Sequence, residues 1–181
     1  APARLVLDVR PDARFFLVGE GPLREDLEAR AARLRLGDRF VFAGFAKDVA
    51  ATLSAFDMSV FPSLWEGTPL TAFEALAAGK PIVATDADGL LDILRHDHDA
   101  RIVPKRDARA LADQMLALME SPAERARLSA NARATGAQYD IGAFVRKMER
   151  LYAILHEVSR RTRRRGVLEH DLSFLTGGAS R

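Results

Sequence analysis

Residues Met58 to Ala84 read MSVFPSLWEGTPLTAFEALAAGKPIVA, and their order decides the expected fold. Met58–Phe61 is a short β-rich run stopped by Pro62. Leu70–Ala78 has helical character and is followed by Gly79, a residue suited to the left-handed turn that ends a helix. Pro81–Ala84 is a second apolar run. A strand that returns through a helix re-enters its sheet in the same direction, so this unit predicts parallel pairing.

The same alternation extends outward. Upstream, Ala3–Val9 looks like the end of a helix, Arg14–Val18 a strand, Pro22–Leu36 a helix, Arg39–Phe42 a strand and Asp48–Phe56 a short helix. Downstream come a short helix at Leu90–Arg95 and a weaker strand at Arg101–Val103. Nearly continuous apolar strands suit a sheet covered on both faces. The expected class is therefore α/β, a doubly wound parallel sheet. Such a sheet ordinarily opens with a strand ahead of its first helix, so a first strand is expected to be missing from 1–104. After Pro104 only helices are expected: Ala108–Glu120, Ala123–Gly136 and Gly142 to about Arg160. The expected division is a core at 1–104, helices packing on it at 105–160, and a basic, disordered tail at 161–181.

Composition narrows the chemistry. The 181 residues include no cysteine, which excludes disulfides, thiol catalysis and thiolate metal sites. No apolar run reaches the roughly 18 residues of a spanning helix, and no secretory leader pattern opens the sequence, so a cytoplasmic protein is expected. The net charge is +2, yet residues 146–165 carry eight basic groups against Glu149 and Glu157, leaving the remainder mildly acidic. That distribution argues against nucleic acid as a partner. Arg160–Arg165 reads as a solvated charge run, with peripheral contact to an anionic membrane face as the alternative.

Ligands of doubly wound sheets sit beyond the C-terminal ends of the strands. Four loops qualify: Gly19–Pro22, Gly44–Lys47, Ser63–Pro69 and Thr85–Gly89. The third carries Glu66, and Glu74 follows in the next helix, with Thr68 expected as its N-cap and Pro69 as its first residue. Free amides at a helix start, with the positive end of its dipole, suit an anion such as diphosphate. Ionised carboxylates accept from pairs of hydroxyls and repel phosphate. A ligand with sugar hydroxyls on both sides of a diphosphate therefore fits an acid at each end and amides between. His96, Asp97, His98 and Asp99 form a cluster that reads as a solvated loop rather than a metal site. Gly19-Glu20-Gly21 lacks the third glycine of a dinucleotide fingerprint, Arg24 standing there.

Taken in order, Pro62-Ser63, Glu66-Gly67, Glu74-Ala75, Ala77-Ala78-Gly79-Lys80-Pro81-Ile82-Val83 and Asp88-Gly89 resemble the signature of the retaining GT-B glycosyltransferases of the "group 1" type. VGEGPLREDLE (Val18–Glu28) and FAGF (Phe42–Phe45) resemble further landmarks of that family, and the likeness covers about residues 3–155. It implies the donor-binding, Rossmann-like half of a GT-B enzyme. Such an enzyme moves a sugar from a nucleotide diphosphate sugar to an acceptor hydroxyl with retention, needing no metal or other cofactor. By the same resemblance Glu66 holds donor-sugar hydroxyls near the reacting carbon, the catalytic position, and Glu74 holds the ribose. Backbone around Gly67, Thr68, Leu70 and Thr71 meets the diphosphate. Gly19 and Gly21 turn beside the nucleotide, and Phe45 and Lys47 lie near the base. The partner implied is an N-terminal acceptor-binding domain, without which the chain is expected to be inactive. Two features depart from the family: Pro69 replaces a glycine, removing one amide, and His96–Ala100 replaces a glycine-containing loop. Alternatives are a non-catalytic binding or assembly module and a nucleotide-sugar epimerase fragment.

Overall fold

The computed structural model describes residues 1–162, with 161 and 162 described as helical backbone only. The tail expected from residue 161, and all but the first member of the Arg160–Arg165 run, lie outside the residues whose side chains are described. In chain order the elements are α1 (Pro2–Val9), β1 (Phe15–Val18), α2 (Arg24–Arg33), β2 (Phe40–Gly44), α3 (Val49–Ser54), β3 (Ser59–Phe61), α4 (Leu70–Ala77), β4 (Ile82–Thr85), α5 (Asp88–Leu91), β5 (Ala100–Val103), α6 (Ala108–Glu120), α7 (Pro122–Gly136) and α8 (Ile141–Thr162).

Among the described residues all strand pairing is parallel. β1 pairs with β2, and β3, β4 and β5 form a second ladder in that order. Helices cover the strands on both faces, as a doubly wound fold requires. One face is closed by α1 and α6: Val6 joins Leu111, Ala112, Met115 and Leu118 over Val83 and Val103. The opposite face is closed by α4, α5 and α7, where Ala72, Ala75 and Leu76 meet Ile82, Ala84, Leu90 and Ala132. β4 lies between both cores and is buried along its whole length. A smaller cluster of Ala3, Leu7 and Leu36 seats α1 and the end of α2 near Phe15 and Phe40.

The turn after α4 follows from Gly79. Its φ of 63° lets the Gly79 amide donate to the Leu76 carbonyl and the Lys80 amide to the Ala75 carbonyl, the paired bonds of a Schellman cap. Lys80 then extends its ammonium to the Ser54 and Phe56 carbonyls, at 3.0 and 2.7 Å, tying α4 to the C-terminal end of α3. Asp48 caps α3, Asp107 caps α6 and Ser121 caps α7 through side-chain oxygens that accept from backbone amides.

Two expectations need correction. Thr68 does not cap α4: Pro69 is the flanking residue, its ψ of 87° being outside the helical range, and Leu70 is the first helical residue. The helix expected at Leu90–Arg95 starts earlier and ends earlier, at Asp88–Leu91. Ala87, extended at ψ 138°, breaks from β4 soon enough for Asp88 and Gly89 to enter the helix.

The chain forms two compact units, one at Ala1–Ala137 and one beginning at Gln138. The described part of the second is residues 138–140 and α8, whose residues Ile141, Phe144, Val145, Tyr152 and Leu155 are exposed. Among the described residues no helix is long and apolar enough to cross a membrane.

Candidate functional site

The loop from β3 to α4 holds Glu66, and two hydroxyls set its position. Ser63 Oγ donates to Glu66 Oε1 at 2.6 Å. Thr85, at the end of β4, donates its own hydroxyl to the Ser63 carbonyl. The carboxylate is thus tied through Ser63 to the most buried strand of the fold, leaving its second oxygen out of that bond. Glu66 is half-buried, whereas Gly67 and Thr68 beside it are exposed.

A third contact supports the loop from behind. Gly89, in the first turn of α5, lies against the Glu66 and Gly67 carbonyls. A Cβ built at Gly89 would stand 2.1 Å from the Gly67 oxygen and 2.7 Å from the Glu66 oxygen. Only a residue without a side chain permits that approach.

α4 begins immediately after this loop. The first amides of a helix have no acceptor within it, and no side chain bonds to this end of α4. The Leu70 and Thr71 amides therefore face outward at the positive end of the helix dipole. Leu70, Thr71 and Glu74 are all exposed, while Ala72, Ala75 and Leu76 are buried. Spacings of three and four residues put Glu74 on the same face as Thr71 and Leu70, one turn further along. Glu66 thus precedes the open helix start and Glu74 follows it.

The other expected residues are distributed around this centre. Gly19, Phe45 and Thr71 line one open cavity of about 910 Å³, which also runs down between β1 and β3. Gly19 follows β1 with φ at 125°, and its amide donates to the Gly44 carbonyl at 2.7 Å, joining the ends of β1 and β2. Phe45 is 72% exposed. Gly21 and Lys47 are exposed in their loops and do not line that cavity. Ser63, Thr85 and Gly89 bound candidate ligand loops, and Ser63 and Gly89 belong to the quoted motif, but none was given an individual role in the sequence reading.

The cluster at 96–99 is turned to other uses. Asp99 is fully buried, accepting from the Arg95 amide and the Thr135 hydroxyl, both at 2.8 Å. His96 Nδ1 accepts from the Ile102 amide at 3.0 Å, and Asp97 pairs with Arg101. Glu124 joins Arg101 to Arg127, and the Arg127 hydrogen bond holds its carboxyl below the usual glutamate range.

Comparison with known proteins agrees with this architecture. The family model for glycosyl transferases group 1 matches residues 1–135. The lipopolysaccharide core biosynthesis glycosyltransferase LpsD of Rhizobium meliloti is 40% identical over 116 residues, 64% of this chain and 34% of that protein. Sucrose-phosphate synthase from Thermosynechococcus elongatus superposes with a TM-score of 0.77 at 29% identity, over 86% of this chain and 42% of that one. Anabaena Alr3699/HepE, solved with UDP and glucose, superposes with a TM-score of 0.76 at 23% identity, over 84% of this chain and 45% of that one. The chain spans about a third of the curated relative's length and less than half of either structure's. A Rossmann-like fold of GT-B type, the ordered motifs around Glu66 and Glu74, and a family match over most of the chain lead to one conclusion: the chain belongs to the glycosyl transferases group 1 family.

Proposed function

We propose that this domain binds the nucleotide-sugar donor of a retaining glycosyltransferase whose acceptor hydroxyl is presented by another domain. The observation that carries the reading is the open start of α4, with Glu66 held ahead of it by Ser63 and Glu74 exposed one turn behind Thr71. The amides of Leu70 and Thr71 receive the diphosphate, with the helix dipole opposing its charge. Glu74 accepts from the ribose hydroxyls, and Glu66 accepts from hydroxyls of the sugar through the oxygen that Ser63 leaves free. The base lies towards Gly19 and Phe45, which line the adjoining cavity.

In this scheme the domain's part in catalysis is orientation and leaving-group stabilisation. Fixing the donor removes rotational freedom that the reaction otherwise has to spend. Helix-start amides stabilise negative charge as it gathers on the departing nucleotide diphosphate. Those donors take the place of a divalent cation, so binding should be the same with or without a chelator. This domain alone is expected to bind donor weakly and transfer nothing, since no acceptor is positioned.

Calorimetric titration with UDP, GDP, ADP and their hexose conjugates tests the proposal. Saturable binding of one nucleotide class, abolished by Glu74→Ala with thermal stability retained, supports it. Absence of binding to all of them refutes it for this chain, and favours an assembly module docking through the exposed apolar stripe of α8.

A further inference from the structure

The loop that carries Glu66 also carries the most exposed large apolar side chain among the described residues: Trp65, at 74%. It is the only tryptophan of the sequence. An indole is a large apolar surface, and folding ordinarily turns most of it away from water. The ring nevertheless has a definite place. Its outer corner, Cη2, lies 3.8 Å from the point where a Cβ on Gly67 would stand. The indole therefore bends forward along the chain, over the side of Gly67 that a side chain would occupy. The carbonyls of the same turn are backed by Gly89, and the loop is tied down through Ser63 and Thr85. Those contacts hold the loop without help from the ring, which stands in solvent between Glu66 and the open start of α4.

We infer that Trp65 is the platform on which the donor's sugar ring stacks. This rests on the donor reading above and adds the class of sugar to it: a hexopyranosyl group with an apolar C–H face. A pyranose has two kinds of surface. Its hydroxyls radiate around the edge, and its axial C–H bonds make a face apolar. Glu66, an acceptor only, serves the edge. An aromatic ring serves the face, because its negative π surface attracts the positively polarised C–H groups. Edge and face are perpendicular, so two consecutive residues hold one sugar without competing. Together they fix its rotation about the bond to the diphosphate, which neither does alone. An indole turns about only two side-chain bonds, so ordering it costs little. Position along the ligand agrees. With the diphosphate at the Leu70 and Thr71 amides and the ribose at Glu74, the sugar falls towards Glu66 and Gly67, the stretch the indole overlies. The other exposed aromatic of these loops, Phe45, lines the cavity on the side of the base. A sugar whose stacked face carries an axial hydroxyl would bury that hydroxyl against the ring without a partner, so the platform also selects among hexose epimers.

A single tryptophan makes the test direct, because all indole emission comes from residue 65. The full chain is titrated with UDP, GDP and ADP and with their hexose conjugates, and fluorescence is read beside calorimetry. The conjugate of the preferred nucleotide should move the emission to shorter wavelength as the indole leaves water, and the bare diphosphate should leave it unchanged. Trp65→Ala should weaken binding of that conjugate by roughly three- to tenfold, with affinity for the bare diphosphate and the thermal midpoint unchanged. Trp65→Phe should retain most of the affinity, since a phenyl ring still offers a face. An emission shift of equal size with both ligands overturns the inference while the donor reading stands, for the ring would then follow the nucleotide. Parental affinity of Trp65→Ala for the conjugate, or equal losses for both ligands, also overturns it. So does an emission that shifts with protein concentration in the absence of ligand, which assigns the ring to a contact between copies. Failure of every nucleotide to bind is a separate result: it removes the donor reading, and this inference with it.

Discussion

Glu66 acts in this account through the oxygen that Ser63 does not hold, so the hydrogen bond at 2.6 Å is what separates a fixed sugar ligand from a mobile surface acid. A hydrogen bond to a charged group contributes about 1.5–3 kcal/mol at most, and less on a half-exposed loop. Ser63→Ala should therefore weaken binding of a nucleotide sugar by roughly five- to tenfold. It should leave affinity for the bare nucleoside diphosphate unchanged, because the ribose and phosphate contacts lie on α4. Equal losses for both ligands in parallel titrations would show that Ser63 supports the loop in general. Gly89 makes the complementary case. Gly89→Ala places a methyl group where two carbonyls already stand, and overpacking of that kind costs about 1–3 kcal/mol. Denaturant melts should show that loss. The diagnostic comparison is Gly89→Ala against Ala87→Gly, which loosens the same turn without pressing on Glu66.

At the scale of elements, α4 carries the site and its position depends on α7 and α3. Gly136 lets α7 lie directly on α4: a Cβ there would meet Ala77 N at 2.7 Å and Leu76 C at 2.8 Å. Both are backbone atoms that no rotamer change can move. Gly136→Ala is expected to destabilise the domain by about 1–3 kcal/mol and to weaken nucleotide binding through displacement of α4. A melt unchanged from the parent would contradict this packing. Glu124 gives a pH-dependent counterpart. Its folded carboxyl titrates below the ordinary range because Arg127 and Arg101 hold the ionised form. The stabilisation is fully present above the ordinary glutamate value of about 4.3 and is lost as pH falls through the lowered folded value. Glu124→Gln should flatten the dependence of the thermal midpoint on pH in that acidic window and nowhere above it.

These elements also show what can be read from residues alone. α4 was legible because proline and glycine punctuate it, both local signals. The cap of α4 was misjudged because Thr68 and Pro69 each suit a helix start, and only the backbone angles show which residue is still extended. Ser63 and Thr85 went unassigned for a different reason. Their link runs from the end of β4 to a loop 22 residues earlier in the sequence, and no periodicity or spacing encodes it. The carboxylates at Glu66 and Glu74 carried a chemical meaning before any coordinates, since acids next to an anion-binding helix start need hydroxyl partners.

For the molecule as a whole, strand identity was readable, and so was the parallel pairing of β3 with β4 across α4, but the partners of the other edges were not. A run such as Arg14–Val18 announces extended chain, yet nothing within it says whether one edge or both will be paired. The gap between β1 and β3 is therefore a structural finding, and it joins the fold to the site: the same cavity that separates the ladders opens beside Gly19, Phe45 and Thr71. The account as a whole stands on where the diphosphate goes. A crystal structure of the chain with its preferred nucleotide sugar is the most direct measurement. Phosphate oxygens within about 3.2 Å of the Leu70 and Thr71 amides, with Glu74 on the ribose hydroxyls, are the predicted result. A diphosphate bound elsewhere while the start of α4 stays open to solvent would contradict it.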